Sequence, residues 1–267
     1  MDAEGREQRF IFGEVAELYD RARAGYSATL VDDVLSFVGV DSDRLRALEV
    51  GAGTGKATVA FAVRGLEILA LEPSLEMATV ARRNCREFPR VHIASITFED
   101  WPVEAGGFGL LFAAQSWHWV DPEVRWVRAA QALRPRGSLA LMGHQVAWQG
   151  ETLRDDLEEV YRRVAPDLLA YNPGFPGLRP ERDDGLSEEI MGTGHFEGLA
   201  TRTYPWSARL TADGFADVLA TQSDHRLLAE QVRAGLLDAL RELIAAHGGE
   251  VVVPEVTRLT IARLRAA

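Results

Sequence analysis

Three glycines at alternate positions, Gly51, Gly53 and Gly55, break up AlaLeuGluValGlyAlaGlyThrGlyLys at 47–56. Glycine lets the backbone turn tightly and lets a ligand approach with no Cβ in the way. The apolar residues 44–50 before the loop read as a short buried strand, and 57–63 after it as a helix. Two phosphate-binding patterns do not fit this loop. Lys56 stands where G-x-G-x-x-G requires its last glycine, and a P-loop would need glycine at Val50 and a hydroxyl residue at Ala57. A pyrophosphate cradle is therefore not supported. Glu72 closes the next strand, 17 positions after Gly55 (72 − 55). A carboxylate at that strand tip is placed to accept both hydroxyls of a nucleoside ribose.

Other residues able to do chemistry stand further along. His118, between Trp117 and Trp119, just follows a strand candidate and is the first choice to face a substrate; the other reading is a histidine that braces its loop. His144, at the end of a later strand, is the second choice, and His225 reaches over the pocket or lies on the surface. Trp117 is an aromatic face for a cation. Cys85 is the single cysteine, which excludes an intrachain disulfide and a cysteine-rich zinc site, and no metal site is expected.

The elements that must position these residues alternate. Residues 14–38 read as helix with a turn near Gly25; 66–71, 91–96, 108–114 and 138–143 read as strands; 75–86 and 121–134 read as helices, the second capped by Asp121 with Pro122 in its first turn. Strand and helix in strict alternation make an α/β parallel sheet covered on both faces. After 145 the rhythm changes. Helices are expected at 152–165, 180–191, 211–220 and 224–246, a strand at 196–205, and an antiparallel strand at 255–264.

Strand, glycine loop, helix, strand and acid together resemble the class I S-adenosylmethionine-dependent methyltransferases, whose motif I is matched by Glu49, Gly51, Gly53 and Gly55. LeuGluProSerLeuGluMetAla at 71–78 is similar to the family segment after strand two, and PheGluAspTrpPro at 98–102 to the loop that packs on adenine. Phe108–Pro122 resembles strand four and its loop in the "type 11" small-molecule subgroup, with Gly109 where Asp usually stands. LeuArgProArgGly at 133–137 resembles the Leu-x-Pro-Gly-Gly turn, with Arg136 replacing the first glycine. Residues 14–26 resemble the subgroup's N-terminal cover, less two prolines. The resemblance implies a Rossmann-like doubly wound seven-stranded sheet, order 3-2-1-4-5-7-6 with the last strand antiparallel, in a single domain: a cofactor half at 14–145, a helical lid at 146–195, and C-terminal strands and helices at 196–267. It assigns the cofactor to Tyr19, Arg23, Glu49, Gly51, Ala52, Gly53, Gly55, Glu72, Pro73, Met77, Thr97, Phe98, Gln115 and Trp117. Thr97 stands where many relatives have Asp, so backbone amides at Phe98 or Glu99 are the alternative adenine donors. Trp148, Tyr161, Tyr171, Phe175 and Trp206 supply aromatic surface for an apolar acceptor.

Composition narrows the partner. Among 267 residues, 40 acidic side chains against 29 basic ones give a net charge of -11, which argues against a surface that holds nucleic-acid phosphates. Of the basic residues only Lys56 is a lysine, which reads as the mark of a GC-rich bacterial coding bias. No stretch approaches the roughly 18 apolar residues of a membrane helix. The expectation is a cytoplasmic enzyme, monomer or homodimer, that methylates an O, N or C nucleophile of a small molecule and releases S-adenosylhomocysteine. The alternatives are a non-catalytic cofactor-binding or regulatory protein, and an NAD-dependent oxidoreductase.

Overall fold

Apolar runs with no polar alternation can only sit where both faces are covered. Strands β1 (Arg46–Val50), β2 (Glu67–Leu71) and β4 (Phe108–Ala114) are such runs, and they form the middle of the sheet. In the computed structural model, which describes residues 13–39, 45–148, 152–171 and 185–266 (the side chains of Thr152, Ala170 and Tyr171 excepted), β3 (Val91–Ala94), β5 (Leu133–Val146), β6 (Phe196–Thr211) and β7 (Glu250–Leu264) complete it. The order is β3-β2-β1-β4-β5-β7-β6, and β7 runs antiparallel to both of its neighbours, as expected.

Successive residues of a strand face opposite sides, and the core divides accordingly. Ala47, Leu110 and Phe112 pack with α2 (Ala28–Val38) and α3 (Lys56–Ala62) through Leu30, Val31, Val34 and Phe61. Leu48, Val50, Leu111 and Ala113 face the other layer, where α5 (Arg125–Ala132) contributes Ala129 and Ala132. The remaining helices of the cofactor half are α1 (Ala16–Ala22) and α4 (Leu75–Asn84). Ser74 caps α4 by accepting from the Met77 amide at 3.3 Å, which ends β2 cleanly two residues after Glu72.

Three boundaries differ from expectation. The helix read from Asp121 begins at Arg125, because the Asp121 side chain accepts from the Glu123 amide and holds 121–124 as a turn. That helix ends at Ala132, since Leu133 already pairs with Phe108. The ladder then skips to Leu110 opposite Ser138, and the four residues between bulge out. The expected helix at 224–246 is two: α10 (Ser223–Arg226) and α11 (Glu230–Ala246).

β6 and β7 are longer than their sequence patterns imply. Beyond the end of β5 they continue as a two-stranded ribbon, in which Ser207–Thr211 pair with Pro254–Glu250. Pro254 sits inside β7 rather than ahead of it, and its carbonyl accepts from the Ala147 amide at 2.8 Å. Helices α6 (Thr152–Val164), α7 (Pro166–Tyr171), α9 (Ala212–Ala220) and α11 gather on this ribbon. Leu157, Tyr161, Ala216, Leu236, Leu240 and Ile244 are fully buried there with Trp148, Val251 and Val253. Residues of 146–195 and of 196–267 thus share one core over the carboxyl edge of the sheet. α8 (Leu186–Gly192) packs instead near the start of β6. The loop at 172–177, with Phe175, lies outside the described residues, as do 180–184 of the helix expected there.

Candidate functional site

Each loop glycine answers a different demand. Gly51 has φ +73°, and a Cβ there would stand 2.4 Å from the Ser116 Cβ, so β1 and the turn after β4 meet without room for a side chain. Gly53 has φ +58° with open space where its Cβ would point. Gly55 lies against Ala81 and Cys85 of the α4 region. The loop is tied to β2 by the amides of Gly51 and Ala52, both donating to the Leu71 carbonyl at 2.9 and 3.0 Å.

Glu72 is fixed at the tip of β2. Its Oε2 accepts from the Gly53 amide at 2.7 Å and its Oε1 from the Ser74 amide at 2.9 Å, and the residue is buried. A carboxylate offers about four acceptor positions, and these two bonds fix its orientation. Pro73 carries the chain from Glu72 to the α4 cap, and Met77 is buried against Ala16 and Val80.

Glu49 is the one charged residue within β1's buried stretch, fully enclosed on the α3 face. Its Oε2 accepts from Thr58 Oγ1 at 2.6 Å, while Oε1 is buried with no partner. Burial first, against the Thr58 bond and with Glu72 nearby, pushes its pKa up to about 8. An orphaned buried oxygen beside the glycine loop is an acceptor that a ligand N–H would satisfy.

The N-terminal cover closes over these groups. Asp20 of α1 accepts from Asn84 Nδ2 at 3.0 Å and pairs with Lys56 at 3.8 Å, and Asn84 also holds the Thr54 carbonyl at 2.9 Å. α1 is thereby pinned across α3, α4 and the loop. Tyr19, on its inner side, has its phenol pKa raised by burial, with Arg23 and Glu72 acting on it. Arg23 lies over the Tyr19 ring at 5.4 Å, and its Nε donates to Thr221 Oγ1 at 2.8 Å. Tyr26 stacks on His144 with ring centroids 4.6 Å apart.

Gln115, at the tip of β4, has φ +59°, unusual for a residue with a side chain. Its amide donates to the Met142 carbonyl at 2.9 Å and its Nε2 to the His144 carbonyl at 3.1 Å, locking the β4 and β5 ends together. Strain held by such bonds is common at functional sites. Trp117 is buried on the far face, 5.2 Å from Trp126 and 6.0 Å from Phe98, with Nε1 lacking a partner. His118 is exposed on the 3₁₀ turn Trp117–Trp119 and leans on Trp119. Thr97 donates to Asp100 Oδ2 at 2.7 Å and accepts from the Asp100 amide, so its hydroxyl hydrogen is engaged in its own turn. Phe98 is buried, with Arg128 over its ring.

The structure brings Tyr19, Arg23, Glu49, the glycine loop and Glu72 together, with Gln115 and His144 at the neighbouring strand ends. It adds two residues that patterning did not mark. Glu255 of β7 pairs in register with Val146 and Trp206, and burial pushes its carboxyl up to about 7 against the pull of Arg23. Thr257, two residues on, bonds His144. Strand alternation would have put both on one face, but not told which. His225 is fully buried, its Nε2 2.8 Å from the Tyr161 hydroxyl and its Nδ1 2.8 Å from Asp224. Among the described residues no group of three or more His, Cys, Asp or Glu is placed to hold a metal, and no helix is long and apolar enough to cross a membrane.

A glycine loop after β1, an acid at the tip of β2 and an antiparallel seventh strand make up a Rossmann-like sheet of the kind that class I S-adenosylmethionine-dependent methyltransferases have. The matches to known proteins agree with that class. Residues 48–141 fit the family model described as a methyltransferase domain. An uncharacterized methyltransferase of Mycobacterium tuberculosis is 28% identical over 247 residues, 92% of this chain and 90% of the relative. Among solved structures, a proposed type II methyltransferase from Anaeromyxobacter dehalogenans superposes with a TM-score of 0.58 at 22% identity, over 91% of this chain and 97% of that one. Phosphoethanolamine N-methyltransferase 2 of Haemonchus contortus, solved with S-adenosyl-L-methionine, gives 0.53 at 15% identity, over 96% of this chain and 57% of that one.

Proposed function

We propose that this chain transfers the methyl group of S-adenosylmethionine to an O, N or C nucleophile of a small molecule in the bacterial cytoplasm. The observation that carries the reading is Glu72, held by the Gly53 and Ser74 amides beside open space above Gly53. That carboxylate accepts the two ribose hydroxyls. Glu49 Oε1, buried without a partner, fits an N–H of the cofactor's amino acid part. Arg23 has N–H groups beyond the one given to Thr221 and reaches the cofactor's carboxylate, with Tyr19 closing the site. The backbone of Gly51–Gly55 lies along the cofactor; Pro73, Met77, Phe98 and Gln115 shape its ends. With the Thr97 hydrogen given to Asp100, the adenine contact falls to the backbone near Phe98.

The bound cofactor supplies an electrophilic methyl with a good leaving group. What the chain must do is hold the nucleophile in line and keep water away, since positioning can lower a barrier by about 7–11 kcal/mol. The cap on the β6–β7 ribbon acts as the roof for this purpose, and the net charge of -11 supports a small-molecule acceptor over a nucleic acid. Incubation with isotopically methyl-labelled S-adenosylmethionine and a small-molecule extract tests the reading: label is expected in the low-mass fraction. Transfer only into protein or nucleic acid would refute the small-molecule acceptor.

A further inference from the structure

Where β6 and β7 pass the end of β5, a short proton relay fixes which nitrogen of His144 carries hydrogen. Trp206 Nε1, which can only donate, lies 3.0 Å from Thr257 Oγ1. Thr257 is buried, and its hydroxyl also lies 2.8 Å from His144 Nδ1, an acceptor for its hydrogen if that nitrogen is bare. Were Nδ1 protonated, indole and imidazole would both donate to Thr257 and strand its hydrogen, whereas a proton on Nε2 leaves Thr257 satisfied and is favoured by the Gly25 backbone beside the ring. The relay Trp206 → Thr257 → Nδ1 therefore leaves the imidazole proton on Nε2. That atom is buried, and the nearest group to favour its proton is the Gly25 backbone, which does not meet it with full hydrogen-bond geometry. Burial, with Arg23 nearby, lowers the His144 pKa to about 4, so the ring is neutral near pH 7 and Nε2–H is a donor rather than a base.

Glu255 stands one register step beyond this donor. His144 pairs with Thr257 and Val146 with Glu255, so both side chains lie on one face of the sheet. Diagonal neighbours of this kind have Cβ atoms about 7 Å apart, a span that one bridging group fills. Trp206 makes an edge contact with His144 at 5.3 Å and Tyr26 a stacked one, so the walls are aromatic.

We propose that His144 and Glu255 form the acceptor end of the site and select a neutral hydroxyl, on an alcohol or phenol, for methylation at oxygen. The inference rests on the methyltransferase reading above. A hydroxyl oxygen accepts from Nε2–H while its hydrogen is donated to the Glu255 carboxylate. An ammonium group cannot accept from Nε2–H, and a carboxylate would set a second acid against Glu255 with Arg23 turned to the cofactor. In the transfer the hydroxyl oxygen forms the new O–CH₃ bond as the S–CH₃ bond breaks, the bonding pair staying on sulfur as a neutral thioether. The hydroxyl proton passes to Glu255. A carboxyl with a pKa of about 7 is suited to take it.

The test is nitrogen NMR of histidine-labelled protein at pH 7.5, with His144→Gln used for assignment. Protonated Nε2 and bare Nδ1 are expected for His144 in the wild type. Thr257→Ser should keep that signature and Thr257→Val lose it. With S-adenosylhomocysteine bound, benzyl alcohol should shift the Nε2–H resonance at a concentration at least tenfold below that needed of benzoate or benzylammonium, and Glu255→Leu should erase the preference. A proton on Nδ1, or no preference for the alcohol, overturns the proposal. Failure of S-adenosylhomocysteine itself to bind the wild type would instead strike the methyltransferase reading, since the tautomer is observed without it.

Discussion

Glu49 concentrates the energetics of the site in one residue. A carboxyl with a pKa of about 8 when folded, against an ordinary 4.5, binds its proton more tightly in the folded state. Its stabilising effect is full below about pH 4.5 and is lost as the pH climbs to about 8. Glu49→Gln keeps the shape without titrating, so the variant should gain on the wild type across that window and be the more stable at pH 8.5. Urea midpoints across the window measure this, and a pH-independent difference would mean that Glu49 is ionised throughout. Arg136 makes a second case. It occupies φ +61° where the resembling turn has glycine, and a side chain in that region costs about 1–2 kcal/mol. Arg136→Gly should raise stability by about 1 kcal/mol, read as a higher melting temperature.

At the scale of elements, the glycine loop and the two β-strand tips were legible in the sequence because glycine and a buried acid are constrained by local geometry. The reasons behind the separate glycines were not, since they depend on what the fold brings across. Gly51→Ala drives a Cβ to 2.4 Å from Ser116 and should destabilise the protein by about 2–4 kcal/mol. Gly53→Ala meets open space, so its stability cost should be smaller, while the methyl enters the ligand's space and cofactor affinity falls sharply. Thermal shift with and without S-adenosylhomocysteine separates the two effects; equal effects on stability would contradict this division of roles. Gly109, read as a departure at the start of β4, is closely packed: a Cβ there would stand 2.7 Å from Leu45 Cδ1 and 3.0 Å from an Arg134 Nη, side-chain ends that would have to shift. The early end of α5 and the bulge before Ser138 were illegible for the same reason, because strand pairing with Phe108 overrides the helical pattern.

Across the whole molecule, the alternation of elements gave the parallel half of the sheet, the pattern of 255–264 gave the antiparallel last strand, and the sheet order came from the family resemblance, but the cap was not legible. Its core joins residues as distant as Trp148, Phe215 and Val253, and β6 and β7 run through both sheet and cap. Because the same two strands serve both, cap and sheet should unfold together. Leu236→Ala, at a fully buried cap position, should lower stability by about 2–5 kcal/mol in a single urea transition. Two resolved transitions would show the cap to be an independent unit. On the proposed function, a nucleoside sits on Glu72 beside the glycine loop. Calorimetric titration tests it most directly: S-adenosylhomocysteine should bind, NAD should not, and Glu72→Ala should weaken the former by about 1.5–3 kcal/mol, the value of hydrogen bonds to a charged group. Binding of NAD without S-adenosylhomocysteine, or an affinity indifferent to Glu72→Ala, would contradict it.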